Sequence, residues 1–196
     1  MTSLFSEKEL ENYYRKEPEA TRRAVLAFLR DTRNPSMVVF GARALNVHLP
    51  SWLDKETKDW DILSASDAEG MANKLEHMLD KRYGGDFFGV EPAVHPGTFR
   101  IRAKVTGIVV TDVSFKDRDI RFKRIKGINY ATLEWLEEDV KKTIANPEAE
   151  YRRAKDTDTL QRIKVFKKGR RKTRGRSRPS RYIDGSEVDT SMRGMR

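Results

Sequence analysis

Three acidic side chains stand in apolar surroundings. Asp59 and Asp61 flank Trp60 and run into Ile62-Leu63, and Asp112 lies within Val109-Val110-Thr111-Asp112-Val113-Ser114-Phe115. Residues two apart on a strand point to one face, so Asp59 and Asp61 converge while Trp60 and Ile62 turn toward a core. Asp112, on an adjacent strand, can complete a triangle. Carboxylates this close repel one another unless something compensates. A hard divalent cation, Mg²⁺ or Mn²⁺, held by oxygen ligands is the usual remedy. Asp59, Asp61 and Asp112 are therefore the candidate metal ligands and catalytic residues. Such a site can hold two metals that activate a hydroxyl and stabilise a leaving group. For each acid taken singly, an ordinary solvated carboxylate is the plainer reading; the shared apolar context argues against it.

The elements that must position these acids can be read from pattern. Met37-Val38-Val39-Phe40 is a short apolar run of buried-strand type, ending at Gly41. The segment Ala42-Arg43-Ala44-Leu45-Asn46-Val47 reads as a helix start. Glycine between strand and helix lets backbone amides approach a phosphate at the helix N-terminus. Helices are predicted over 6–16, 19–30, 66–82, 129–144 and from Pro147 through about 166, with a capping box at Ser66-Asp67-Ala68-Glu69 and Asn146-Pro147 opening the last. Asn34-Pro35-Ser36 breaks the second helix from the first strand. Three β segments are predicted over 87–94, 98–105 and 108–115, separated by His95-Pro96-Gly97 and Thr106-Gly107. Residues 116–126 read as a charged connection. The order of elements implies an α+β domain with a mixed β-sheet flanked by helices.

The net charge is +10, and its placement says more than its size. Residues 162–181 hold eleven Lys or Arg and no acid, while the rest carries 29 basic against 30 acidic residues. From about 168 the composition collapses to Arg, Lys, Gly, Ser and Pro, so a disordered basic C-terminal tail is expected over 167–196. Its cations Lys167, Lys168, Arg170, Arg171, Lys172, Arg174, Arg176 and Arg178 suit a nucleic-acid backbone. Nuclear import or protein docking are the other uses of such a tail. Residues 20–166 are expected to form the domain, preceded by a helical segment over 1–19.

Cysteine is absent, which excludes disulfides, thiolate zinc sites and cysteine nucleophiles. His48, His77 and His95 lack metal-ligand spacing and receive no role; Trp52, Trp60 and Trp135 are expected to pack in or near the core. No run of about 18 apolar residues is present, and no signal-peptide pattern, so no membrane partner is expected and the location is expected to be intracellular, cytoplasmic or nuclear.

The segments Phe40-Gly41-Ala42-Arg43-Ala44-Leu45-Asn46, Lys58-Asp59-Trp60-Asp61-Ile62 and Thr111-Asp112-Val113 together resemble the nucleotidyltransferase (polymerase β-like) superfamily. Its pattern is a Gly-Gly or Gly-Ser turn, an Asp-x-Asp/Glu pair and a third acid on a later strand, here spanning about residues 36–115. Arg153-Ala154-Lys155-Asp156 also resembles the Arg-x-Lys-Asp helix of its minimal members. Ala42 departs from the pattern, where Ser or Gly is usual, and removes a hydroxyl contact to phosphate.

The resemblance implies a nucleotidyltransferase fold and transfer of a nucleoside monophosphate from a nucleoside triphosphate to a hydroxyl, with release of pyrophosphate. It implies that Asp59 and Asp61 bind both metals, that Asp112 helps deprotonate the acceptor, and that Gly41, Ala42, Arg43 and Lys155 contact the nucleotide. A surface role for Arg43, and a solvated helical face for Lys155 and Asp156, are the plainer readings. The basic tail points to nucleic acid as acceptor or place of action. Two alternatives stay open: a degenerate protein that keeps the fold and binds nucleic acid within an assembly, and a transferase acting on protein or a small molecule. The chain is short of an added helical domain, which favours a minimal enzyme or one completed by a partner protein.

Overall fold

The computed structural model describes residues 5–15, 18–31, 37–116 and 119–174. The chain begins with helices α1 (Glu7–Arg15) and α2 (Pro18–Arg30). Strand β1 (Met37–Val39) and helix α3 (Gly41–His48) follow, then a 3₁₀ turn (Ser51–Leu53), β2 (Trp60–Ser64) and α4 (Ala68–Tyr83). Strands β3 (Phe88–Pro92), β4 (Thr98–Ala103) and β5 (Val109–Phe115) come next. The hairpin β6 (Phe122–Ile125) and β7 (Ile128–Ala131) leads to α5 (Leu133–Ala145), a 3₁₀ segment (Pro147–Arg152) and α6 (Arg153–Arg174). The α+β class and mixed sheet expected from the sequence are what the chain adopts. Among the described residues no helix is long and apolar enough to cross a membrane.

Among the described residues, seven strands form one sheet in the order β3-β4-β5-β2-β1-β7-β6. The wholly buried Met37-Val38-Val39 run takes an inner position, between antiparallel β2 and parallel β7. Strands β2 and β5 lie parallel, with Asp61 opposite Asp112 and Ile62 opposite Val113. This one pairing does two jobs: Ile62 and Val113 are fully buried, while the acids beside them share the opposite face. Thr111 Oγ1 donates to the Trp60 carbonyl at 2.7 Å and fixes the two strands at the point where the acids emerge.

The helices begin where the sequence offers a cap. Asp67 accepts the Gly70 N–H at 2.7 Å to open α4, so the cap is Asp67 rather than Ser66. Ala72, Leu75 and Leu79 bury the α4 face against the sheet. Gly84, at φ 80°, ends α4 in the left-handed conformation.

Three expectations are corrected. Residues 116–126 are not merely a connection: they contain β6, and Lys126-Gly127 turns the chain into β7. The helix expected from Asn129 starts at Leu133, with Thr132 accepting the Trp135 N–H at 3.2 Å, because Ile128–Ala131 joins the sheet beside β1. Helix α6 runs through Arg174, past the expected boundary at 166, so Lys167, Lys168 and Arg170 stand on a helix; Lys and Arg are good helix formers. Trp60 and Trp135 are buried as expected, but Trp52 is 71% exposed. Asn34-Pro35-Ser36, the side chains of Arg171, Lys172 and Arg174, and Arg176 and Arg178 lie outside the described residues.

Candidate active site

The acids open onto a cleft of about 280 Å³. One wall is the sheet, with Asp59, Asp61 and Asp112; another is α3, with Gly41, Ala42 and Leu45. Leu136 and Asp139 of α5 close one side, and Lys155, Asp156 and Thr159 of α6 face the acids.

Asp61 sits deepest. Burial, reinforced by the charge of Asp59, pushes its carboxyl up to about 6, while Lys155 pulls it the other way. Gly41 makes this placement possible. Its φ is +63°, and a Cβ there would stand 2.3 Å from Asp61 Oδ2, so both backbone and space call for glycine. Gly41 also opens α3, whose N-terminus has no side-chain cap. Gly41 and Ala42 of that first turn line the cleft, and a helix N-terminus is a place that receives anions elsewhere.

Asp59 lies just ahead of β2. Thr57 Oγ1 donates to its Oδ1 at 3.2 Å, and Arg43 Nε donates to its carbonyl at 2.6 Å. The Arg43 guanidinium also lies 4.1 Å from the Trp60 ring centroid and reaches the Lys58 carbonyl. Arg43 is thus placed against the backbone that carries Asp59. Burial lowers its proton affinity, with Asp59 opposing.

Asp112 is held from across the sheet. Arg100 stands opposite it on β4 and donates Nε and Nη2 to its two oxygens, each at 2.8 Å. Sequence reasoning missed Arg100 because the register is shifted. The turn occupies 104–107, and an irregularity between Ile101 and Arg102 brings Arg100 onto the acid face. Lys55 was missed too. Its Nζ donates to Thr159 Oγ1 at 2.8 Å and to the Lys155 carbonyl at 3.1 Å, tying the loop before β2 to α6. Asn46 fixes that loop through a reciprocal pair with the Lys55 backbone, both bonds at 2.8 Å. His95, given no role from sequence, lines the cleft and meets the Tyr151 hydroxyl at 2.7 Å.

The donor set fits a hard divalent ion in kind: carboxylate oxygens line one cavity, and Asp61 holds its proton more strongly than usual because it is buried beside Asp59. The closest-set acids lie elsewhere. Among the described residues, Glu76, Asp80 and Asp86 each bring an oxygen within 4.8 Å of the others. Two of them have internal partners: Asp80 Oδ1 accepts the Phe87 and Phe88 N–H groups at 2.8 and 2.9 Å, and Lys104 pairs with Asp86.

No protein-family model matches the chain. No curated protein sequence matches it either. Among solved structures, the Megavirus polyadenylate synthase aligns over 98% of this chain with a TM-score of 0.65 and 18% identity. This chain spans 42% of that protein's length. A putative nucleotidyltransferase from H. pylori aligns over 86% of this chain and 80% of its own, at 18% identity and a TM-score of 0.42. ANT(2")-Ia, in complex with adenylyl-2"-tobramycin, aligns over 81% and 99%, at 13% identity and a TM-score of 0.46. The chain has a nucleotidyltransferase-like fold.

Proposed function

We propose that this chain, with its nucleotidyltransferase-like fold, transfers a nucleoside monophosphate from a nucleoside triphosphate to a hydroxyl on or near nucleic acid. The observation that carries this reading is the cleft itself. Asp61, sealed against Gly41, faces Lys155 across a cavity that also receives the uncapped N-terminus of α3. One wall suits metal and the other suits phosphate.

Asp59 and Asp61 would hold Mg²⁺ or Mn²⁺, which when bound neutralises phosphate charge and acidifies a hydroxyl. The amides of Gly41 and Ala42 and the ammonium of Lys155 bind the triphosphate. Arg43 acts at one remove, holding the Asp59 backbone in place. The acceptor oxygen attacks the α-phosphorus, the bond to the bridging oxygen breaks, and pyrophosphate leaves. The acceptor proton passes to Asp112 as the Arg100 guanidinium turns from that carboxylate to the phosphates.

Arg100 is also the observation that favours a second reading, a binding protein that keeps the fold without the reaction. A guanidinium bonded to both Asp112 oxygens neutralises that acid and competes with metal and acceptor for it. One experiment separates the two. The full chain is incubated with each labelled nucleoside triphosphate, Mg²⁺ or Mn²⁺, and RNA, DNA or protein acceptors. Label joined to RNA or DNA, lost with Asp59→Ala and Asp61→Ala, supports transfer. No label on any acceptor, with nucleic acid still bound, leaves the binding reading. Label on protein alone overturns the nucleic-acid acceptor.

A further inference from the structure

Helix α5 carries three consecutive acids, Glu137, Glu138 and Asp139, and each pairs with a cation from a different element. Lys167 of α6 pairs with Glu137. Arg121, just before β6, reaches Glu138 at 2.5 Å. Lys116, just after β5, reaches Asp139 at 3.7 Å, and Asp139 lines the cleft. One turn of α5 therefore gathers the basic stretches of the chain beside the mouth of the site.

The stretch nearest this turn is the hairpin edge. Arg121, Lys123, Arg124 and Lys126 put four cations in six residues, and β6 is the outer strand of the sheet. Lys123, Arg124 and Lys126 are exposed, and no acid pairs with them among the described residues. Charge on an edge strand has an ordinary purpose, which is to prevent pairing with another chain. Phe122 does not serve that purpose. It is 50% exposed in the middle of the cations, where a guard strand would carry another charge or a proline. Cations beside an exposed ring are what a single nucleic-acid strand meets on a stacking platform.

We infer that β6 and the basic end of α6, joined across α5, form one binding track for single-stranded nucleic acid that leads to the cleft. Lys123, Arg124 and Lys126 take backbone phosphates, and Phe122 takes the face of one base. A duplex, whose bases are stacked inside, gains the charge but not the ring. The track is a binding surface whether or not the cleft is catalytic.

The test is binding of the full chain to a labelled single-stranded RNA of about 20 nucleotides across a salt series. Each phosphate neutralised on a single strand releases counterions and contributes about −0.7 to the slope of log K against log salt, so replacing Lys123, Arg124 and Lys126 together with Ala should reduce the slope by about 2. Affinity at low salt should fall about ten-fold or more. Phe122→Ala should lower affinity about ten-fold with the slope unchanged, and Phe122→Tyr should restore it. All these side chains are exposed, so the thermal midpoint should hold. Wild-type affinity and slope in the triple variant would overturn the track and leave the C-terminal cations as the contact. Equal competition by poly-glutamate, with no effect of Phe122→Ala, would overturn it in favour of an acidic protein partner.

Discussion

Two groups of three acids meet opposite fates in this molecule. Glu76, Asp80 and Asp86 crowd together on and after α4, and the chain answers Asp80 and Asp86 from within. Two backbone N–H groups bond Asp80, which pins the start of β3 to the helix, and Lys104 takes Asp86. Asp59, Asp61 and Asp112 are set further apart but open onto a cleft, and the carboxyl of Asp61 receives no hydrogen bond among the described residues. Crowding is therefore a poor mark of a site. A buried acid that the fold leaves without donors, next to a cavity, is a better one, because an unanswered buried charge is costly and persists where something outside the chain answers it.

The largest expected effect breaks the two groups apart by function. Asp59→Ala with Asp61→Ala should lower transfer by on the order of 10³-fold or more, the scale of losing the main electrostatic support of a transition state. It should also abolish the rise in thermal midpoint given by Mg²⁺ plus nucleoside triphosphate. Asp80→Ala with Asp86→Ala should leave both within a few-fold, measured at a temperature where the variant is folded. Loss of transfer in that folded second variant would end the contrast.

A smaller effect separates them by pH. The carboxyl of Asp61 is raised from an ordinary 3.8 to about 6, so the folded state holds this proton more strongly than the unfolded chain does. Its contribution to stability is fully present below pH 4 and is lost as pH rises through about 6. Asp61→Asn does not titrate, so above pH 6 it should exceed wild type in stability by up to about 3 kcal/mol, with the gap closing toward pH 4. Denaturant unfolding at pH 4 and pH 7 measures this; a gap of the same size at both would refute it. Asp80→Ala should move stability in the opposite direction, lowering it by about 2 kcal/mol, because two backbone donors lose their acceptor.

The same contrast explains what could be read in the sequence. Trp60-Asp61-Ile62 was legible because alternation on a half-buried strand puts acid and apolar side chains on fixed faces, whereas Asp59, read onto the same strand, lies just ahead of it. Strand β6 was illegible because it is an edge: its residues are exposed on both faces, so no alternation marks them. Ile128–Ala131 was read into the following helix because apolar spacing continues into Leu133 and Leu136; only the cap at Thr132 separates the two. Arg100 depended on a register shift, and Arg43 on the Trp60 ring beside it. Tertiary partners of that kind leave no trace in spacing. The Lys/Arg composition after 166 was read as disorder, yet the same residues support helix through Arg174.

The smallest effect sharpens the contrast at a single atom. Helices α4 and α5 are capped by Asp67 and Thr132, whereas α3 begins at Phe40-Gly41 with no side-chain cap. Ala42, in that first turn, lines the cavity. If the chain leaves this end open for a phosphate, Ala42→Ser adds a hydroxyl that donates to the ligand, and triphosphate affinity in Mg²⁺ should tighten by about 1 kcal/mol, or roughly five-fold. Stability without ligand should stay within about 0.5 kcal/mol, since the hydroxyl then has only water to meet. If the open end is merely an imperfect helix start, the hydroxyl bonds a neighbouring amide instead. Stability then rises by up to about 1 kcal/mol and affinity is unchanged or weaker, because a donor meant for phosphate has been taken. Calorimetric titration with a non-hydrolysable triphosphate, paired with denaturant unfolding of the same two proteins, reads both quantities. A gain in stability without a gain in affinity would remove the helix end from the proposed site and leave Lys155 as its phosphate contact.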